Sequence, residues 1–221
     1  MKKGMPKDSV LQRAYDNPDK SAHYDSWAAN YDDDLEREGF VAPQHAAALL
    51  KSVVPTEAKV LDFGCGTGLV GVELAALGCQ NLYGVDVSQR MIELAQQRGC
   101  YQSVREHDLR TPLIDDIRYQ AGICVGVCAF GPLNAGHIAH MTQVLEGGAP
   151  LILTINGRAW DELDWAQQLE EAQEQHGYTV EYIKTIPYLV DKEIDAKLLI
   201  IRNAELESAQ TCQPIEKYSD S

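Results

Sequence analysis

Apolar positions along this chain recur with two periods, and the alternation between them organises it. Short apolar runs at 60–63 and 120–127 read as strands buried on both faces, and 81–86, 102–106 and 150–155 read as further strands. Between them, apolar residues return at three- and four-residue steps: Leu69, Val70, Leu74 and Leu77 in one segment, Met91, Ile92, Leu94 and Ala95 in the next. Ser88 supplies an N-cap for the second of these and Gly99 a stop. An earlier amphipathic helix within 39–54, starting near Ala42, turns Leu49, Leu50 and Val53 inward and is ended by Pro55. Further helices are expected over 136–145 and 160–176. Segments 178–185 and 196–202 read as strands whose connection is too short for a crossover helix, so they pair antiparallel. The pattern specifies an α/β fold: a doubly wound, Rossmann-like sheet with helices on both faces and an antiparallel finish.

The ends differ from this body. Residues 1–20 are polar with Pro6 and Pro18 and read as a flexible arm, and 204–221 read as a flexible tail. That leaves a single domain over 21–203, opened by a helical segment over 21–55. Ser21 can cap a first helix on which Tyr24, Trp27, Ala28 and Tyr31 share a face, either packing on the sheet or covering a ligand. Asp32, Asp33 and Asp34 read as a solvated turn.

Composition narrows the function. With 221 residues, 45% hydrophobic and 24% charged, the chain can bury one sizeable core. The longest apolar runs, 121–130 and 150–155, are too short to span a bilayer, and the N-terminus lacks a secretory apolar core; a cytoplasmic location without membrane contact follows. Net charge is −14, from 33 acidic against 19 basic residues, which repels a phosphate backbone and argues against a nucleic-acid substrate. The six cysteines form no C-x-x-C pair and read as small buried hydrophobes. Neither Cys124-x-x-x-Cys128 nor His137-x-x-His140 has a partner pair at metal-site spacing, so no metal is expected.

The chemistry concentrates at 59–71. An apolar strand, Gly64, Gly66 and Gly68 at two-residue spacing, and then a helix place a ligand-accessible turn at the carboxyl edge of the sheet, where N–H groups can face a ligand. Two frames fit. Gly66-x-Gly68-x-x-Gly71 with Asp86 twenty positions after Gly66 is a dinucleotide fingerprint. Asp62-x-Gly64-x-Gly66-x-Gly68 instead puts an acid at the last strand position, where it repels a pyrophosphate and attracts the ammonium and sulfonium of S-adenosylmethionine. The second frame is favoured. Asp86 ends the second strand, placed to accept ribose hydroxyls, and Asp108, beyond the third, can accept from the adenine amine. The loop 128–134 could seat a substrate, and Asn156, Gly157, Arg158 and Trp160 could line its pocket.

Taken in order, Val60-Leu-Asp-Phe-Gly-Cys-Gly-Thr-Gly68, Gly84-Val-Asp-Val-Ser88-Gln-Arg-Met91, His107-Asp-Leu109 and Glu146-Gly-Gly148-Ala-Pro-Leu-Ile resemble the class I S-adenosylmethionine-dependent methyltransferases. Tyr24-Asp-x-Trp-Ala-x-x-Tyr-Asp32 and Cys124-Val-Gly-Val are similar to a narrower group, the methyltransferase-like proteins named after the Williams–Beuren syndrome chromosome region. The resemblance implies about seven strands with the last antiparallel. It also implies a cofactor bordered by Asp62, Gly64, Cys65, Gly66, Gly68, Asp86, Val87, Met91, Asp108, Leu109 and Val125, and covered by Tyr24, Trp27 and Tyr31. Members that methylate DNA bases or glutamine amides carry Asn/Asp-Pro-Pro-Tyr/Phe after the fourth strand; Val125-Gly-Val-Cys-Ala-Phe-Gly-Pro argues against both.

The expected reaction is methyl transfer to an oxygen or nitrogen of a small molecule by in-line displacement, with alignment the protein's main task. A general base is optional; His107, Tyr188 and Asp62 are conceivable and none is assigned as catalytic. The alternatives are a nicotinamide-dependent oxidoreductase and a non-catalytic or protein-directed member of the fold. The pattern specifies no oligomeric state.

Overall fold

Val60–Phe63 forms β1 with all four residues buried, and its period of two gives Val60 to one core and Leu61 and Phe63 to another on the opposite face. The computed structural model describes residues 20–203. Apart from Lys20, which opens the first helix, the arm and tail expected over 1–20 and 204–221 lie outside the described residues.

The helices before the sheet are α1 (Lys20–Trp27), α2 (Tyr31–Arg37) and α3 (Ala42–Val53), with a 3-10 turn at Ala28–Asn30. After β1 come α4 (Leu69–Ala76), β2 (Leu82–Asp86), α5 (Gln89–Gln97), β3 (Tyr101–Glu106), β4 (Ala121–Cys128), α6 (Ile138–Thr142) and β5 (Pro150–Asn156). Then α7 (Gly157–Glu162), α8 (Trp165–His176), β6 (Tyr178–Leu189) and β7 (Ile194–Asn203) complete the order. The seven strands form one sheet in the order β3-β2-β1-β4-β5-β7-β6. Pairings among β1 to β5 are parallel, and β7 runs antiparallel to both neighbours. This is the doubly wound arrangement with an antiparallel last strand that the alternation predicts.

Helices cover both faces. Ala46 and Leu50 of α3 and Val70 and Leu74 of α4 pack on one core, and Met141 of α6 with Trp165 and Leu169 of α8 pack on the other. Gly122 of β4 shows how tight the packing is: a Cβ there would lie 2.9 Å from both Phe63 and Leu151.

Several expectations need correction. The inward face of α3 is Ala42, Pro43, Ala46, Ala47 and Leu50, with Leu49 half-buried against the same core, whereas Val53 is 36% exposed. The expected helix over 136–145 is a 3-10 turn at Ala135–His137, boxed by Asn134 and His137, followed by the short α6. The one over 160–176 divides into α7 and α8 at Asp164, which adopts φ 50°. Strands β6 and β7 extend nearer to each other than expected, leaving only a turn of 3-10 helix at Val190–Lys192; β6 lies at the sheet edge, where Pro187 is tolerated. Ser21 lies inside α1 and does not cap it: its hydroxyl donates to the Val87 carbonyl instead. Asp32, Asp33 and Asp34 form the first turn of α2, where the helix dipole favours them, rather than a solvated turn.

Candidate active site at the carboxyl edge of the sheet

Strand order reverses direction between β1 and β4, and in sheets of this kind a crevice opens there beyond the carboxyl ends. A cavity of about 720 Å³ occupies it, within the range of about 300–1,000 Å³ common for small-molecule sites. The glycine turn forms its floor. Gly64 and Gly66 hold φ of 73° and 54°, open to glycine at no steric cost. A Cβ at Gly64 would lie 2.5 Å from Val127, whereas one at Gly66 meets nothing within 4 Å and would stand in open space.

Five N–H groups of this turn and the helix start after it, including all three glycines at two-residue spacing, go to protein acceptors rather than facing a ligand as expected. Gly64 and Cys65 donate to the Val85 carbonyl at 2.8 and 3.0 Å, and Gly68 to the Cys65 carbonyl at 2.9 Å. Gly66 donates to Asp86 Oδ2 at 2.8 Å, and Gly71, in the first turn of α4, to the Tyr101 hydroxyl at 3.1 Å. A pyrophosphate therefore finds these five donors taken, and two buried carboxylates close by.

Asp62 and Asp86 are those carboxylates, 1% and 9% exposed. Asp62 accepts from Tyr101 Oη at 2.7 Å through Oδ2, while Oδ1 is buried with no partner. Burial pushes its pKa up to about 7; the Tyr101 hydrogen bond lowers it and the Asp86 charge raises it. Asp86 is fixed on both oxygens, Oδ2 by Gly66 and Oδ1 by the Ser88 N–H at 2.9 Å, with burial raising its pKa against these bonds. Each of its oxygens keeps a further lone pair for a hydroxyl donor.

The other walls are β-strand ends and the N-terminal helices. Val125, Gly126, Val127 and the loop residues Phe130, Gly131, Pro132 and Leu133 make one side largely apolar. His107, Asp108, Leu109 and Arg110 follow β3 on another. Arg110 grips both Asp108 oxygens, Nε reaching Oδ1 and Nη2 reaching Oδ2, and holds that carboxyl below its ordinary range. His107 Nε2 lies 3.2 Å from the Thr111 carbonyl, which can only accept, so Nε2 carries the proton and Nδ1 is left as an acceptor; burial lowers the His107 pKa.

Tyr24 and Tyr31 also line the cavity, and the Trp27 ring centre lies 6.1 and 4.7 Å from theirs. Burial and the Asp86 charge push the Tyr24 phenol up to about 12. Polar contacts tie this N-terminal segment to the glycine turn and to α5. Asp32 accepts from the Thr67 hydroxyl and pairs with Arg98, while Asp25 accepts from Ser88 Oγ and the Arg90 N–H.

Of the fourteen residues expected to border or cover the cofactor, ten line the cavity: Tyr24, Tyr31, Gly64, Gly66, Asp86, Val87, Met91, Asp108, Leu109 and Val125. Four do not. Trp27 supports the tyrosines, and Asp62 lies buried outside the lining. The Cys65 side chain turns toward Gly84, whose Cβ would lie 3.0 Å from its sulfur, and Gly68 caps α4 at φ 91°. Asn156, Gly157, Arg158 and Trp160 also stay off the lining: Asn156 caps α7, and Arg158 lies over the Phe130 ring at 5.3 Å. Tyr188 is buried at 1% exposure. Tyr101 was passed over in the sequence, because nothing local joins a residue at the start of β3 to an acid of β1. Among the described residues no cluster of His, Cys, Asp or Glu could hold a metal ion, and no helix is long and apolar enough to cross a membrane.

Residues 60–148 match the family described as a methyltransferase domain. The chain is 36% identical over 157 residues to human methyltransferase-like protein 27, covering 65% of this chain and 62% of that protein. It is 29% identical over 124 residues to the ribosomal protein L11 methyltransferase of Aeromonas hydrophila, covering 51% of this chain and 42% of that one. The chain thus spans about three fifths or less of these relatives. Among solved structures, the fold resembles a TehB-like S-adenosylmethionine-dependent methyltransferase from Corynebacterium glutamicum, with a TM-score of 0.61 and 22% identity over 86% of this chain and 100% of that one.

Proposed function

We propose that the protein is an S-adenosylmethionine-dependent methyltransferase that methylates an oxygen or nitrogen of a small molecule by in-line displacement, a reading supported by the methyltransferase-domain match over 60–148, the human relative and the shared fold. The observation that carries this reading is the glycine turn, with the N–H groups of Gly64, Cys65, Gly66 and Gly68 committed internally and the acids Asp62 and Asp86 beside it. Such a turn suits a ligand bearing positive charge and a ribose and disfavours a pyrophosphate. The open space above Gly66 and the unpartnered Asp62 Oδ1 are what a cofactor's methionine end would need.

In this reading Asp86 accepts the ribose hydroxyls and Asp108 with Leu109 borders the adenine. Val87, Met91 and Val125 pack about the nucleoside, and residues 21–55 form a lid through Tyr24, Trp27 and Tyr31. Bound there, S-adenosylmethionine supplies a methyl group already activated by its sulfonium charge. The chain's own work is to orient the acceptor and exclude water, and alignment of this kind contributes about 7–11 kcal/mol. Of the three conceivable bases, His107 alone lines the cavity, with Nδ1 as its acceptor. The apolar loop Phe130–Leu133 favours a small apolar acceptor. A protein acceptor is the second reading, favoured by the net charge of −14, which attracts a basic partner.

Acceptor-dependent release of S-adenosylhomocysteine across a panel of phenols, carboxylates and amines tests this. Turnover with members of the panel is the expected result; methyl transfer confined to protein fractions would establish the second reading instead. Asp86→Ala is expected to weaken cofactor binding by about 1.5–3 kcal/mol, since it removes a charged acceptor and frees the Gly66 N–H. Titration calorimetry measures this, and an unchanged dissociation constant would remove Asp86 from the ribose site.

A further inference from the structure

The Asp62 carboxylate is held by a residue that no sequence motif marks. Tyr101 opens β3, two strands away from β1 in the sheet, and its ring passes Gly84 of β2, whose Cβ would lie 3.4 Å from it, to reach Asp62. Its hydroxyl accepts the Gly71 N–H at 3.1 Å and stands 2.7 Å from Asp62 Oδ2. A phenol has one proton to give. With the Gly71 N–H filling an acceptor site, that proton points at Asp62. Oδ2 is therefore occupied and Oδ1 is left buried and unpartnered.

We propose that Tyr101 is a positioning residue for the methionine end of the cofactor: its phenol fixes Asp62 so that Oδ1 is the carboxylate oxygen kept for a donor that the ligand brings. The proposal rests on the S-adenosylmethionine reading above. It also accounts for Gly71 without a dinucleotide, because a Cβ at that position would lie 2.4 Å from the Tyr101 hydroxyl oxygen and 2.3 Å from the ring carbon bearing it. Gly71 is glycine so that the phenol can enter. The groups facing Asp62 are Asp86 of β2, Cys65 of the turn, Cys100 before β3, Cys124 of β4 and Tyr101 itself, none of them a cation. Fixing this carboxylate and keeping it ionised near neutral pH falls to Tyr101, whose hydrogen bond lowers the Asp62 pKa against burial.

The test compares two ligands on the full chain by titration calorimetry: S-adenosylhomocysteine, which carries the amino-acid end, and 5′-methylthioadenosine, which lacks it. Tyr101→Phe is expected to weaken S-adenosylhomocysteine about tenfold and to leave 5′-methylthioadenosine unchanged. The pH at which S-adenosylhomocysteine affinity reaches half its plateau moves upward in this variant, because the hydrogen bond that favours the carboxylate is gone. Gly71→Ala, in a helical position that alanine suits, displaces the phenol by its methyl group and is expected to reproduce the selective loss, which keeps the test available should Tyr101→Phe fail to fold. Equal weakening of both ligands, or no weakening of either, would overturn the positioning role and make Tyr101 a packing residue only. Failure of the unmodified chain to bind either ligand would instead overturn the cofactor reading, and the proposal with it.

Discussion

Asp62→Asn raises the stability of the ligand-free protein at pH 8 more than at pH 5, and weakens S-adenosylmethionine binding tenfold or more. Both effects come from one buried carboxylate. Asp62 is 1% exposed, one oxygen has no partner, and its pKa in the fold is pushed up to about 7. An unfolded aspartate titrates near 3.9. Because the folded value is the higher, the fold favours the protonated acid. The penalty for ionising it is absent below about pH 4, grows as pH rises through the interval up to about 7, and is constant above. Asparagine carries no charge at any pH, and whatever its amide costs in that site does not vary with pH. The variant's advantage should therefore grow by about 2–3 kcal/mol between pH 5 and pH 8, or about 4–12 °C in Tm for a chain of this size. The loss of affinity follows from removing the charge that meets the ammonium, about 1.5–3 kcal/mol. Thermal unfolding of both proteins at the two pH values, followed by calorimetry at pH 8, reads both effects. A stability difference that is the same at pH 5 and pH 8 would mean that Asp62 is not the buried acid described.

Gly66→Val abolishes cofactor binding while the protein still folds. The Cβ at this position meets nothing within 4 Å, so the branched side chain enters the cavity without displacing the core. The backbone conformation at φ 54° costs a β-branched residue about 1–2 kcal/mol, a fraction of a typical domain's stability of about 5–15 kcal/mol. Circular dichroism should show an intact fold with a lowered Tm, and calorimetry no heat with S-adenosylmethionine. A folded variant that binds like the parent would mean that the glycine turn is not the floor of the site.

What could be read in advance was what is local in sequence. β1, the glycine turn and Asp86 all follow from runs and spacings within about one strand–turn–helix unit, and the alternation along the whole chain carries the sheet. Contacts made by side chains distant in sequence escaped. Asp62 and Tyr101 are 39 positions apart, Asp32 and Thr67 are 35, and Asp25 and Ser88 are 63; each meets its partner only because the sheet order brings the segments together. The charge of Asp62 favours one frame of the glycine turn from the sequence, but where the N–H groups go is not legible there: they go to Val85, Cys65, Asp86 and Tyr101. The break at Asp164 carries no glycine or proline to announce it. Cys65 and Gly68 belong to the turn but point or serve elsewhere, since a motif specifies a backbone path before it specifies which side chains meet a ligand.

The most direct test of the central claim is titration calorimetry of the full chain with S-adenosylmethionine and S-adenosylhomocysteine, set against NADH and NADPH. One-to-one binding of the first two with no heat from the nicotinamide cofactors is the predicted result, because Asp62 and Asp86 favour a cationic ligand and the turn offers a pyrophosphate no free donor from Gly64, Cys65, Gly66, Gly68 or Gly71. Binding of NADH or NADPH without S-adenosylmethionine would contradict it.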